Sequence, residues 1–205
     1  TMDPDVYCQA LNAIVNLERD WAPHAPGTSL VLRPAMIALD PCLGVHPSKR
    51  YLFFILCSPS GAYYKNGMAP VSIYVEEQYI RAAPGGTGYA KCGGNYAGSM
   101  KAAELVADKG FDQVLWLDAI EHKYVEEVGS MNMMFVIDGT IITAPLEGTI
   151  LPGVTRDSII TLAKEAGYKV EERHLAIDEV FAAAHAGRLD EAFGTGTAAI
   201  AASSA

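Results

Sequence analysis

The stretch Gly85-Gly86-Thr87-Gly88-Tyr89-Ala90-Lys91-Cys92-Gly93-Gly94-Asn95-Tyr96 decides how this chain is read, because it sets one lysine among glycines just before a segment of helical periodicity. Met100, Ala103, Leu105 and Val106 carry that periodicity, and Gly110 can close the helix in the left-handed conformation. Lys91 is therefore expected on the approach from a strand to a helix. An amine held there can do covalent chemistry.

Outward from this stretch the pattern alternates between extended and helical segments. Asp3-Pro4 forms a cap and first-turn pair, and Val6, Ala10, Leu11, Ile14 and Leu17 predict a helix that breaks at Pro23 and Pro26. Ser29 to Leu32, Leu52 to Cys57 and the alternating Val71, Ile73 and Val75 read as strands before the glycine run. After it, Val114 to Leu117 reads as a short buried strand. Met133 to Ile137 and Thr140 to Thr143 flank Asp138-Gly139, a hairpin signal because both turn positions need positive φ. Thr155 is expected to cap a helix running to Gly167, and a further helix runs from about Asp178 to near Gly187. The expectation is one α+β domain over 1–205.

Bulk properties narrow the function classes. With 205 residues, half of them hydrophobic, the chain can bury a substantial core. A net charge of −9 and the lack of any basic cluster argue against nucleic acid or an anionic membrane surface as a partner. Cys8, Cys42, Cys57 and Cys92 form no C-x-x-C pair, and the five histidines are scattered, so no metal is expected. Apolar runs such as Leu52 to Cys57 are too short to span a bilayer, and the first residues lack a basic signal-peptide start; a cytoplasmic location is expected.

Four segments in order carry a resemblance. The lysine stretch resembles the pyridoxal-phosphate lysine segment of the branched-chain amino-acid aminotransferases, of the fold-type IV group. Tyr124-Val125-Glu126-Glu127-Val128-Gly129-Ser130-Met131-Asn132 resembles the family's second signature. Leu151-Pro152-Gly153-Val154-Thr155-Arg156 and Gly194-Thr195-Gly196-Thr197-Ala198 resemble its two phosphate-facing segments. The match runs from about Asp20 to Ala199 and includes Gln113 to Asp118.

The resemblance implies a fold-type IV large domain, a β-rich pseudo-barrel core surrounded by helices, binding pyridoxal 5'-phosphate. It implies that Lys91 holds the cofactor and serves as general acid and base, that Glu127 faces the pyridine nitrogen, and that Tyr96 meets the phenolic oxygen. Val154, Thr155 and Thr197 would face the phosphate. For the last group the physics agrees, since a helix N-terminus offers free N–H groups and a positive dipole end. Arg33, Ser130 and Ala198 map to substrate-carboxylate positions, whereas Val31 stands where the family often has an aromatic residue.

The implied activity exchanges amino groups between leucine, isoleucine or valine and 2-oxoglutarate, in a homodimer. Alternatives are a fold-type IV lyase of the aminodeoxychorismate type, a D-amino-acid transaminase, or a catalytically silent fragment. Set against the family, the chain looks like the cofactor-binding large domain without the N-terminal small domain and the C-terminal end. Ala199 and Ala202 stand where some members carry a C-x-x-C thiol switch, so no such redox control is expected.

Overall fold

A computed structural model describes residues 2–61 and 70–197, and the backbone of 202–203. The chain divides into two compact units, Thr1–Lys65 and Asn66–Ala205.

In the first unit, helix α1 (Pro4–Leu17) starts where Asp3 caps it, its carboxylate accepting from the N–H groups of Asp5 at 2.8 Å and Val6 at 3.3 Å. Strands β1 (Ser29–Ala38) and β2 (Tyr51–Ser60) form a two-stranded antiparallel ribbon with Ser29 opposite Ser60 and Ala38 opposite Tyr51. Both strands outrun the apolar segments that signalled them. Pro34 and Pro59 look like strand breakers in the sequence, but a two-stranded ribbon has an open edge on each strand, where a missing N–H costs no ladder bond. Arg33 sits on β1 opposite Leu56.

The second unit is built on an eight-stranded mixed sheet. Strand β3 (Ile73–Glu76) pairs in parallel with β4 (Gln113–Leu117), and the crossover between them carries the glycine run and helix α2 (Gly93–Asp108). Strands β5 (Val125–Val128) and β6 (Met131–Ile137) follow as antiparallel neighbours, then β7 (Thr140–Thr143). Helix α3 (Val154–Glu165) leads to β8 (Lys169–Glu172), parallel to β7. Helix α4 (Ile177–His185) leads to β9 (Leu189–Thr195), which pairs with β6 and with β10 (Ala202–Ser203). Helices and a mixed sheet make the chain α+β, as its sequence predicts.

Strand β6 is the centre of this sheet, since β5, β7 and β9 all pair with it. Its residues are almost all buried, as are those of β5. Met134 packs with Ile141 and Ile160, joining β6, β7 and α3. Ala102 and Val106 of α2 pack on Val114 and Trp116 of β4. Each large side chain so buried contributes roughly 1.5–3 kcal/mol. The Trp116 indole also donates to the Gly129 carbonyl at 3.0 Å, which ties β4 to the β5–β6 turn.

The Asp138-Gly139 hairpin forms as expected, with φ of 49° and 71° at the two turn residues. Two boundaries differ from expectation. Helix α2 begins at Gly93, a turn before Tyr96, and the residue capping α3 is Gly153, with Thr155 one position inside the helix. Strands β8 and β9 have no clean alternation in sequence; pairing with the buried β6 and β7 makes them strands despite Lys169, Glu171, Glu172, Asp190 and Glu191.

Candidate active site

Lys91 lies two residues before α2, on the strand-to-helix approach. Its side chain is exposed, and its ammonium stands 5.4 Å from the centre of the Tyr96 ring on the first turn of that helix. The backbone that carries it is fixed by Asn95, a buried residue of the same turn. Asn95 Nδ2 donates to the carbonyls of Thr87 and Ala90, both at 2.8 Å, and its Oδ1 accepts from the Thr87 hydroxyl at 2.7 Å. All three bonds span the glycine run, so the loop is a closed staple and not a flexible tether.

Gly88 shows why that run needs glycine. A Cβ at this position would lie 2.0 Å from the Thr149 carbonyl oxygen and 2.6 Å from the Ala82 Cβ. The lysine loop therefore packs backbone-to-backbone against the segment leading to α3.

Glu127 is a buried carboxylate at 1% exposure, in the middle of β5. One oxygen, Oε1, accepts from the Leu151 amide at 2.9 Å and from Asn132 Nδ2 at 3.2 Å. The other, Oε2, lies 2.8 Å from Arg81 Nε. Asn132 faces Glu127 across the β5–β6 pair and also donates to the Leu151 carbonyl at 2.9 Å, so it fixes both the glutamate and the start of the Leu151–Arg156 segment. Burial pushes the Glu127 carboxyl up to about 7, against the pull of Arg81, the Leu151 amide and Lys91.

At the start of α3, Val154 is exposed and Thr155 partly so. Their N–H groups have no partner among the described residues, leaving a helix N-terminus able to receive an anion. Thr195 stands opposite Asn132 in the β6–β9 pair, and its buried hydroxyl has no hydrogen-bond partner among the described residues. Thr197 follows just past the end of β9 and is exposed. The register of β5, β6 and β9 therefore lines up Glu127, Asn132 and Thr195.

Ser130 is exposed in the turn between β5 and β6. Arg33 belongs to the first unit, and Ala198 and Ala199 lie outside the described residues. No cluster of potential metal ligands occurs among the described residues. No described helix is long and apolar enough to cross a membrane.

Three contributors were not singled out by sequence pattern: Arg81, Asn95 and Asn132. The two asparagines stand inside the signature segments, where a polar residue beside a buried strand or a helix start is itself a sign of a side-chain-to-backbone bond. Arg81 carried no such sign, because its partner is 46 residues away and only the fold brings them together.

The second unit thus carries Lys91 at a stapled helix start, Glu127 as a buried carboxylate and an open helix N-terminus at α3. The chain belongs to the amino-transferase class IV family, whose pattern matches residues 27–202. It is 53% identical over 199 residues to branched-chain-amino-acid aminotransferase 2 of Bacillus subtilis (strain 168), covering 97% of this chain and 55% of that protein. It is 48% identical over 201 residues to the branched-chain-amino-acid aminotransferase of Mycolicibacterium smegmatis, covering 96% and 55%. The chain spans about half the length of these curated relatives.

Crystal structures agree on the fold. The branched-chain aminotransferase of Thermoproteus uzoniensis with norvaline matches at a TM-score of 0.80 and 28% identity, over 94% of this chain and 61% of that one. The branched-chain amino acid aminotransferase of Thermobaculum terrenum in its PLP-bound holo form matches at 0.77 and 25%, over 95% and 60%.

Proposed function

We propose that the chain is the cofactor-binding large domain of a branched-chain aminotransferase. In this reading it exchanges amino groups between leucine, isoleucine or valine and 2-oxoglutarate, with pyridoxal 5'-phosphate as cofactor. The observation that carries the reading is Lys91, held beside the start of α2 by the Asn95 staple, in one unit with Glu127, a carboxylate buried on β5 between Arg81 and Asn132. Identity of about half over nearly the whole chain to proteins of that name supports the substrate class.

The residues fit the cofactor. Lys91 offers an amine with no salt-bridge partner among the described residues, Glu127 a buried carboxylate, and the α3 N-terminus unpaired N–H groups. When bound, the cofactor supplies an electron sink for the carbanion formed at the substrate Cα. Lys91 Nζ would hold the cofactor and carry the proton at that Cα. Glu127, held in place by Arg81 and Asn132, would keep a proton on the pyridine nitrogen. Tyr96 would donate to the phenolic oxygen. Val154, Thr155 and Thr197 would bind the phosphate, and Arg33, Ser130 and Ala198 would receive the substrate carboxylate.

The assembly is a homodimer in the cytoplasm. The test is an absorbance titration of the full-length protein with pyridoxal phosphate, before and after Lys91→Ala, followed by a panel of amino acids of both chiralities. A lysine-dependent visible band and turnover confined to L-leucine, L-isoleucine and L-valine with 2-oxoglutarate are expected. Turnover of D-amino acids, or release of an amine-free product without an amino acceptor, would overturn it.

A further inference from the structure

The second unit has a cavity of about 350 Å³ whose walls include none of Lys91, Tyr96, Glu127, Val154, Thr155 or Thr197. Its acidic wall is made by Asp118, Glu121, Glu126 and Glu147, with His174 as the one base among its described lining residues. Two of these carboxylates are already compensated. Asp118 accepts from the N–H groups of Ile120, Glu121, Lys123 and Tyr124 at 2.7–3.1 Å, and Glu147 lies 3.1 Å from His174 Nε2.

Glu126 is different. It is 8% exposed, it lines the cavity, and its Oε2 is buried without a hydrogen-bond partner among the described residues. A buried carboxylate oxygen left without a donor costs of order 1–3 kcal/mol or more, so native folds supply one. Arg81, a nearby cation, is committed elsewhere, to Glu127 and to the Thr149 carbonyl. Burial pushes the Glu126 carboxyl up; the Thr149 hydroxyl beside it pulls it down, Asp118 adds like charge, and Arg81 and His174 act weakly against that. Ile120, Pro145 and Ile150 supply apolar surface on the same walls.

A carboxylate oxygen without a donor, in a cavity of small-molecule size with mixed acidic and apolar walls, is suited to a cation on a hydrocarbon stem. We propose that this cavity binds a small organic cation, an ammonium or guanidinium on an aliphatic chain, with Glu126 as its counter-ion. The ligand site is separate from the lysine site and does not rest on the aminotransferase reading. Glu126 precedes Glu127 on β5, so a guest there would bear on the strand that carries the buried acid.

The test uses the full-length protein, with and without pyridoxal phosphate, and butylguanidinium as the probe, because a guanidinium does not condense with an aldehyde and binding should be the same in both. Calorimetry is run in parallel with butylurea, the neutral isostere. Saturable binding of butylguanidinium, none of butylurea, and a loss of at least about tenfold in Glu126→Gln are expected, since a hydrogen bond to a charged group is worth about 1.5–3 kcal/mol.

Ile120 is 75% exposed at the cavity wall, so Ile120→Trp should fold normally and block entry, which keeps the test decisive if the Glu126 variant does not fold. Equal binding by Ile120→Trp, equal binding of butylurea, or no binding at all would overturn the proposal. So would a structure of the full-length protein with one of its own lysine or arginine side chains bonded to Glu126.

Discussion

Arg81 Nε lies 2.8 Å from Glu127 Oε2, with the two side chains only 7% and 2% exposed. The pair links the segment after β3 to the middle of β5, and it holds the acid that the sequence marks as the cofactor's partner. Breaking a buried ion pair from one side strands a charge, which costs about 3–5 kcal/mol, whereas removing both sides is far cheaper. Arg81→Met should therefore destabilise by that amount in urea denaturation well above pH 7, and by less below it, where Glu127 takes up a proton. Arg81→Met with Glu127→Gln should recover most of the loss.

Glu127 also predicts a pH dependence. Its folded-state pKa of about 7 is above the ordinary value of 4.5, so the folded protein binds this proton more tightly than the unfolded chain does. Its contribution to stability is full below about 4.5 and is lost as pH rises through 7. Denaturation midpoints of the cofactor-free protein should fall across that window, and Glu127→Gln should flatten the fall. A slope unchanged by the substitution would assign the dependence to other groups.

The Asn95 staple should govern the order of the lysine loop. Asn95→Ala removes two donated bonds and one accepted bond in a buried setting, a loss of about 2–3 kcal/mol. Hydrogen exchange at the amides of residues 87–92 should accelerate far more than exchange in β6. Cofactor affinity should fall while the sheet stays intact.

Gly88→Ala should be worse than its single methyl suggests. The added Cβ meets the Thr149 carbonyl oxygen and the Ala82 Cβ, both too close to stay where they are. Displacement of the loop should cost about 1–3 kcal/mol. It should also shift the amide resonances of Thr149 to Leu151, since the two segments touch at this point. Gly93→Ala, where a Cβ meets nothing within 4 Å, is the control and should be nearly silent on those resonances.

The sequence by itself determined the local features. Asp3 had to cap α1, Asp138-Gly139 had to turn, and Gly110, Gly167 and Gly187 had to end helices, because each depends on neighbours within one turn. The family and the segments expected to form its site, with Lys91 and Glu127 among them, were legible through resemblance of four short motifs in order. Tertiary structure alone decided the rest. Arg81 meets Glu127, Gly88 meets Thr149, and Asn132 lies between Glu127 and Thr195 only after strands far apart in the chain fall into register. The same holds for β8 and β9, whose charged sequences become strands by pairing with a buried neighbour, and for Glu126, whose missing partner is a property of the cavity around it. Local conformation is set by short-range sterics and hydrogen bonds, whereas burial and charge pairing are set by which distant segments pack together, and a sequence pattern carries little trace of that.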